Sequence, residues 1–318
     1  MNTALSPSSL LFLANVNRAQ ERLSEANLQI SSGRKVNVAS DAPDQIDSLL
    51  QLRANQQHNS QIQSNLTIAK TDAQTADDTL SSTLTIMDRA LQLAAQAANS
   101  TETADTRNSI AQEVEALQTQ MVAASQTQVQ GRYIFSGDAD NSPSYALNLT
   151  PPPDPTAPPD TATLTGVTQL TTSAATRQTE DPAGGSFLTS KTAQEIFDTR
   201  NADGTPAADN VFAALNGLRF ALLNNDQTAI TNSITSLKQA STHLNDVQAF
   251  YGTVENRIQN ATSFASRYST QLQTELSGIQ DADPAAAAME LTQANTQLQA
   301  AFEMEAKMPN SSLFNYLA

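Results

Sequence analysis

Apolar side chains recur along this chain at alternating intervals of four and three residues, and no other sequence feature constrains the fold as strongly. The first repeat consists of Phe12, Val16, Ala19, Leu23, Ala26 and Ile30. On an α-helix, residues three and four positions apart lie on the same face, so this repeat forms a narrow apolar seam. Such a seam packs against a second helix. The sequence therefore predicts long helices that lie side by side.

The amino-acid composition indicates the same fold class. Tryptophan is absent from the 318 residues, aromatic residues make up 5% and charged residues only 15%. A chain with so few bulky side chains cannot fill a wide globular core, whereas closely packed helices need only small apolar residues at their seams. We therefore expect a mainly α fold, built as a long antiparallel helical hairpin or coiled-coil bundle with paired terminal helices.

Proline, glycine and capping residues place the first two helices. The first is predicted over 7–32, with Gly33 as its C-cap, since glycine takes the left-handed conformation without penalty. Asp41 or Ser40 is expected to be the N-cap of the second helix, with Pro43 in its first turn.

The remaining helices follow from the seams and from the absence of helix breakers. No Pro or Gly occurs over 44–100, which predicts one very long helix. Further seams predict a third helix around 110–128, two returning helices over 211–223 and 227–280, and a last helix over 285–307.

A polar segment between residues 138 and 210 interrupts this pattern. Just before it, two glycines bracket a Tyr-Ile-Phe sequence, which predicts a short strand or hairpin. The segment itself has ten acidic and three basic residues and most of the prolines. We expect a small, solvated, Pro-rich insertion with a few strands near 162–170, which contributes little to the core.

These patterns divide the chain into five parts. They are the N-terminal part of an inner helical domain (1–43), the long helices of a rod domain (44–138), a variable polar insertion (139–210), the returning rod helices (211–283) and the C-terminal part of the inner domain (284–318).

Charge and residue content exclude several classes of function. The net charge of −15 argues against nucleic-acid partners and against an anionic membrane surface. No apolar run is long enough for a transmembrane helix, and Leu10–Ala14 lacks the flanks of a secretory signal. Cysteine is absent, which excludes disulfides and thiolate metal sites.

No residue pattern indicates catalysis. His58 and His243 have no second ligand at helical spacing, so we interpret both as solvated histidines on helix surfaces. Phosphate loops and paired catalytic carboxylates are also missing. The sequence therefore predicts a protein that is not an enzyme and has no metal, cofactor or catalytic site.

The seams at the two ends of the chain lie beyond the predicted hairpin. Their apolar faces have only each other and further copies of the chain to pack against, so we predict that they form an assembly interface. The residues assigned to it are Phe12, Val16, Leu23, Ile30, Leu291, Leu298, Phe302, Leu313, Phe314 and Leu317.

Three further segments stand out, at residues 30–43, 130–137 and 313–317. They resemble sequences of the flagellin-related axial proteins of the bacterial flagellum, in particular of hook–filament junction proteins. Ala42 departs from the family, which commonly has a second Asp there. The signature residues in the first two segments are Ser32, Gly33, Arg34, Asp41, Pro43, Gly131, Arg132, Tyr133, Ile134, Phe135 and Gly137.

The resemblance implies a structural subunit that self-assembles through its terminal helices into a ring of copies between hook and filament. It also implies secretion through the flagellar type III apparatus without signal cleavage. The partners implied are further copies, a hook-side junction protein (hook-associated protein 1), flagellin and a flagellar export chaperone. Flagellin itself is the first alternative function, and a cytosolic coiled-coil scaffold or signalling module is the second.

Overall fold

A computed structural model of the chain describes residues 7–149, 161–172 and 175–307, with side chains from Ser9 onward. Leu313, Phe314 and Leu317 lie outside the described residues, and their assignment stays a prediction. The helices are α1 (Pro7–Ser32), α2 (Ile46–Ala97), α3 (Ala104–Ser125), α4 (Thr161–Thr165), α5 (Ala193–Phe197), α6 (Val211–Leu223), α7 (Gln227–Gln280) and α8 (Pro284–Lys307). The strands are β1 (Gln128–Val129), β2 (Arg132–Tyr133), β3 (Tyr145–Leu147), β4 (Val167–Gln169), β5 (Gln178–Glu180) and β6 (Ser186–Leu188).

The prediction of a mainly α fold is confirmed. The long helices lie where the seams place them. In the part of the chain that the structure describes, strands occur as three short antiparallel pairs, β1–β2, β3–β4 and β5–β6. Within the described ranges, none of the helices combines the length and the apolarity needed to cross a membrane.

The chain forms two compact units. Of the described residues, the first unit comprises 7–59 and 267–307, and the second comprises those between 60 and 266. Both long helices, α2 and α7, contribute residues to each unit. The five-part division made from the sequence stays a prediction.

The expected cap of the second helix is wrong. Asp41 lies in a short 3₁₀ turn, Ala39–Asp41, and α2 begins only at Ile46. The Asp41 carboxylate instead accepts hydrogen bonds from the backbone N–H groups of Asn37 and Val38, at 2.8 and 2.9 Å. These two N–H groups lie outside any helix and have no helical carbonyl as an acceptor, so the Asp41 carboxylate serves as their acceptor.

The seams of the long helices form the core of the second unit. On α2 the buried seam residues are Ile62, Leu66, Ala69, Ala73, Ala76 and Leu80. On α7 they include Val247, Tyr251, Val254, Ile258 and Ala261. The third helix, α3, and the first returning helix, α6, add their own apolar faces to the same cluster.

The expectation that segment 139–210 contributes little to the core is wrong. It supplies Tyr145, Phe187 and Phe197, all buried in the cluster formed with the long helices. The rings of Phe197 and Phe212 stack with centroids 5.8 Å apart, and the ring centroid of Tyr145 lies 5.2 Å from that of Phe212. These aromatic residues are few, so the polar average composition of the segment concealed them.

A buried polar cluster holds the same segment together. The Asp198 side chain is fully buried and accepts hydrogen bonds from Tyr145 Oη at 3.0 Å, Asn210 Nδ2 at 2.8 Å and Arg200 Nε at 2.9 Å. Burial raises the pKa of the Tyr145 phenol above its ordinary value, and the Asp198 carboxylate raises it further. A buried carboxylate requires such partners, so the cluster fixes this segment in one conformation.

Candidate assembly surface

The candidate site lies on the terminal helix pair of the first unit, α1 and α8. The Phe12 and Phe302 rings meet edge to face with centroids 6.2 Å apart, and Arg22 Nε lies 3.8 Å from Glu290 Oε1. Contacts therefore run between the start of α1 and the end of α8, and the two helices are antiparallel. The predicted pairing of the chain ends is present in this unit.

The middle of the α1–α8 seam is closed by small side chains. The buried residues are Val16, Ala19, Ala26, Ala287 and Ala294, whereas Leu23, Leu291 and Leu298 are half-buried. Alanine seams allow two helices to approach closely, but each alanine removes only one methyl group from water. The structure thus buries Val16 between the two helices of one chain, and its assignment to an assembly interface stays a prediction.

The same seam is open at both of its ends. Ile30, Leu28 and Met289 are exposed at the end near the α1–α2 connection, and Phe302 is half exposed at the other. Two of the predicted interface residues, Ile30 and Phe302, therefore offer apolar surface outside the pair, while Phe12 is half-buried against Phe302.

Sequence reasoning missed several strongly exposed apolar residues at the end of the pair where Phe302 lies. Leu11 is 67% exposed and Met304 65% exposed, and Leu10 and Leu13 are also exposed. With Phe302 included, we call this group of exposed apolar side chains at one end of the pair the distal patch: Leu10, Leu11, Leu13, Phe302 and Met304. The sequence signal that could have identified them is the apolar run Leu10–Ala14. A helix that buries one stripe needs apolar residues on one face, whereas this run places them on several faces.

A groove of about 700 Å³ opens beside the distal patch, between α1 and α8. Its apolar walls include Leu11, Phe12 and Met304, and Arg18 and Arg22 lie along one side. Arg22 and Glu290 are both about half exposed, so their ion pair adds little to stability. The groove therefore combines apolar surface with positive charge on a chain that is otherwise strongly acidic.

The first signature segment, residues 30–43, contains the end of α1 and most of its connection to α2 in this same unit. Gly33 has φ +68° and its N–H donates to the Gln29 carbonyl at 2.9 Å, so it ends α1 as predicted. Ser32 Oγ donates to the Leu28 carbonyl at 2.6 Å. Arg34 pairs with Asp281 in an antiparallel bridge, while Pro43 is exposed in the turn before α2.

The second signature segment belongs to the second unit. Gly131 is in the β1–β2 turn, and Arg132 and Tyr133 form β2. Ile134, Phe135 and Gly137 follow it and are buried. The structure thus confirms the predicted hairpin, but it gives this segment a role in the core that is separate from the terminal pair.

Charged side chains fasten the hairpin and the polar segment to α2. Asp72 Oδ2 lies 2.9 Å from Arg177 Nη1 and 3.5 Å from Arg132 Nη2, and Arg177 Nη2 lies 3.1 Å from Asp140 Oδ2. All four side chains are mostly buried. This cluster pairs each carboxylate with an arginine, as partly buried charges require.

The interpretation of His243 as a solvated histidine is wrong. Its side chain is mostly buried, with Nε2 2.9 Å from the Glu195 carbonyl oxygen and Nδ1 3.5 Å from Asp209 Oδ2. It joins α7 to the polar segment. His58 is exposed. Among the described residues, no group of three or more His, Asp or Glu side chains could hold a metal ion.

Comparison with known proteins shows that the chain is similar to flagellar proteins. Residues 5–140 match the bacterial flagellin N-terminal helical region, and residues 223–317 match the bacterial flagellin C-terminal helical region. The flagellar hook-associated protein 3 of Escherichia coli (strain K12) is 25% identical over 303 residues, which cover 90% of each chain.

Two solved structures share the fold. One is from a Vibrio parahaemolyticus protein provisionally assigned as flagellar hook-associated; it is 18% identical, with a TM-score of 0.61, covering 76% of this chain and 100% of that one. The other is flagellar hook-associated protein 3 of Legionella pneumophila, 14% identical, with a TM-score of 0.58, covering 74% and 99%.

The two matching helical regions contain both helices of the terminal pair and both long helices. Together they span well over half of the sequence. The chain belongs to the bacterial flagellin family.

Proposed function

We propose that this chain is a structural subunit of the bacterial flagellum that joins hook to filament by self-assembly through its terminal helices. The observation that carries the proposal is the distal patch, which leaves large apolar side chains in water at one end of the α1–α8 pair. Exposed apolar patches of this kind mark surfaces that another protein covers. The similarity to flagellar hook-associated protein 3 supports the junction as the place of assembly.

The proposed partners are further copies of the chain in a ring, a hook-side junction protein, flagellin, and an export chaperone before assembly. Export without signal cleavage, to the outside of the cell, belongs to the same proposal. A chain that assembles in this way needs no catalytic group, and we propose that it is not an enzyme.

An exposed residue gives the sharpest test. Leu11→Asp places a charge on the distal patch without entering the buried seam, so the isolated chain should keep its helix content while filaments fail to attach in cells that carry only this variant. Asn17→Asp adds the same charge at an exposed polar position of α1 and is the matched control. Normal filament attachment with Leu11→Asp would contradict the proposal.

Two seam variants complete the series. Val16→Asp and Leu298→Asp should also abolish assembly, but through loss of the α1–α8 pair, while the second unit stays folded. Circular dichroism of the purified chains separates these variants from Leu11→Asp, because only the seam variants should lose helix signal.

Flagellin is the second candidate, since the matching helical regions are those of flagellins. Abundance distinguishes the two functions. A filament subunit dominates sheared filament protein, whereas a junction subunit is a trace band that immunolabelling finds on isolated hook-bodies.

A further inference from the structure

The two connections that join the terminal helix pair to the long helices are hydrogen-bonded to each other. One connection follows α1 and contains Gly33, Lys35 and Val36, and the other joins α7 to α8 and contains Ala282. The Ala282 N–H donates to the Gly33 carbonyl at 3.0 Å. The N–H groups of Lys35 and Val36 donate to the Gln280 carbonyl at 2.7 and 3.3 Å. Arg34 and Asp281 face each other as partners of the antiparallel bridge between them.

Gln280 connects this bridge to α2 through its side chain. The residue is only 4% exposed, although it is polar and ends a helix. Its Oε1 accepts a hydrogen bond at 3.1 Å from Nη2 of Arg53, which lies two turns into α2. The Gln280 backbone and side chain therefore bond both the first connection and the helix that follows it. A buried amide with satisfied partners of this kind specifies one arrangement.

Buried apolar side chains and a closed turn accompany the bridge. Val36, Ala42 and Leu49 are buried in the first unit. The Asp41 carboxylate closes the turn immediately after the bridge by accepting two backbone N–H groups. Connections between helices are usually the mobile parts of a chain, but here several backbone N–H groups of both connections have partners.

We propose that these contacts form a clasp, defined by Gly33–Val36 and Gln280–Ala282, that makes the terminal pair and the adjoining turns of α2 and α7 one rigid element. Gln280 is its positioning residue. The extent of the first unit agrees with this, since that unit continues past both connections to Asn59 and Arg267. The clasp assigns a structural role to the first signature segment. It can be tested without reference to assembly.

Hydrogen exchange in the purified full chain measures the clasp directly. The amides of Lys35, Val36 and Ala282 should exchange at least about a hundredfold more slowly than unstructured amides, and with similar protection, because they open together. Gln280→Ala removes the side-chain acceptor of Arg53 and should lower this protection about tenfold, while amides of α6 in the second unit are unchanged. Protection within about tenfold of unstructured peptide would overturn the clasp.

Gln271→Ala is the matched control for Gln280→Ala. Gln271 lies on the same helix and in the same unit, and it is exposed. Among the described residues, its side chain hydrogen-bonds to Glu275, four residues away on the same helix. The control should leave clasp protection at its original level. If both variants lowered it equally, Gln280 would have no special positioning role.

A disulfide tests whether the clasp stays closed during assembly. Partners in an antiparallel bridge have Cα atoms about 4.5–5.5 Å apart, a separation that a disulfide can span. The chain has no cysteine, so R34C/D281C introduces the only thiols. The paired positions Gln178 and Leu188 of β5 and β6 provide a control variant, Q178C/L188C. Oxidation should cross-link both variants to the same extent.

The oxidised R34C/D281C chain should also attach filaments as well as its reduced form. Failure of the oxidised chain, with rescue on reduction, would mean that the connections must separate and would overturn the rigid clasp. This last arm rests on the proposed function. Loss of attachment in both redox states, with normal cross-linking and exchange in the isolated chain, would count against the proposed function and leave the clasp intact.

Discussion

Gly166 is the position where a single added methyl group should have the largest effect on the second unit. The residue connects α4 to β4 with φ +68°. A Cβ built there would lie 2.4 Å from Gln118 Nε2 and 2.9 Å from Asn216 Cγ. Both amides are fully buried, and they donate to the carbonyls of Thr165 at 2.9 Å and of Thr163 at 2.8 Å. Gly166→Ala must therefore displace the side chains that hold α4 on α3 and α6.

The expected cost has two parts. A left-handed backbone at a residue with a Cβ costs about 1–2 kcal/mol. Moving the Gln118 and Asn216 amides away from buried carbonyls adds about 1–3 kcal/mol, because those acceptors are then left without donors. We expect Gly166→Ala to lower the free energy of unfolding of the second unit by about 2–5 kcal/mol.

Gly204→Ala separates the two parts. Gly204 also has a positive φ, +84°, but nothing lies within 4 Å of its added Cβ, so only the backbone cost applies. Native-state hydrogen exchange of α3 and α6 amides gives both free energies. A second comparison is the double variant G166A/Q118A, which should recover at least about 1 kcal/mol relative to additivity. Equal costs for the two glycine variants would refute the close approach.

Three further predictions concern the charge cluster, the terminal seam and the response to pH. Asp72→Asn should destabilise the second unit by about 2 kcal/mol in urea denaturation, because it removes a largely buried carboxylate that pairs with two arginines. The control Asp78→Asn changes an exposed carboxylate and should cost less than about 0.5 kcal/mol. Ala26→Leu should overfill the α1–α8 seam at a cost of about 1–3 kcal/mol, seen as lost exchange protection in both helices. Burial raises the pKa values of Tyr145 and Tyr251, so the stability that their protonated phenols contribute is complete below about pH 10 and falls as the pH rises further. The midpoint of urea denaturation should therefore drop above about pH 10, and it should drop less in Tyr145→Phe.

The helices were predictable because their signal is local. The alternation of four and three residues in α2 reports which side chains lie on one face, and Leu66 and Leu80 are buried as that pattern requires. Gly33 ends α1 for an equally local reason. Each of these features depends on residues within one or two turns of each other, so the sequence contains all the information.

The contacts of the polar segment could not be predicted because they join residues that are distant in sequence. Tyr145 meets Asp198 across 53 positions, and Arg177 meets Asp72 across 105. None of these four residues belongs to the apolar repeat that predicts the helices. His243 illustrates the same limit, since its buried position depends on the Glu195 carbonyl and on Asp209, which no spacing rule connects to α7.

The candidate surface was only partly predictable for a different reason. The seam pattern identified residues such as Val16 that pair α1 with α8, and pairing buries part of the surface that was expected to serve assembly. The surface that stays available is the apolar remainder, Leu11 and Met304, which follows no period. Residues that bind outside partners are therefore best sought among apolar positions that the seam leaves unexplained.

A weak seam and a firm clasp have separable consequences for assembly. The alanines of the seam each gain about 0.8 kcal/mol on burial, so the α1–α8 pair depends on further apolar contacts for much of its order. The clasp does not supply those contacts; it removes orientational freedom that a neighbouring copy would otherwise have to restrict on binding. Gln280→Ala should therefore weaken assembly while the exposed patch is unchanged, and Leu11→Asp should weaken it while exchange of the Lys35 and Val36 amides is unchanged. A Leu11→Asp chain with lowered protection at those amides would show that patch and clasp are one coupled element, contrary to this reasoning.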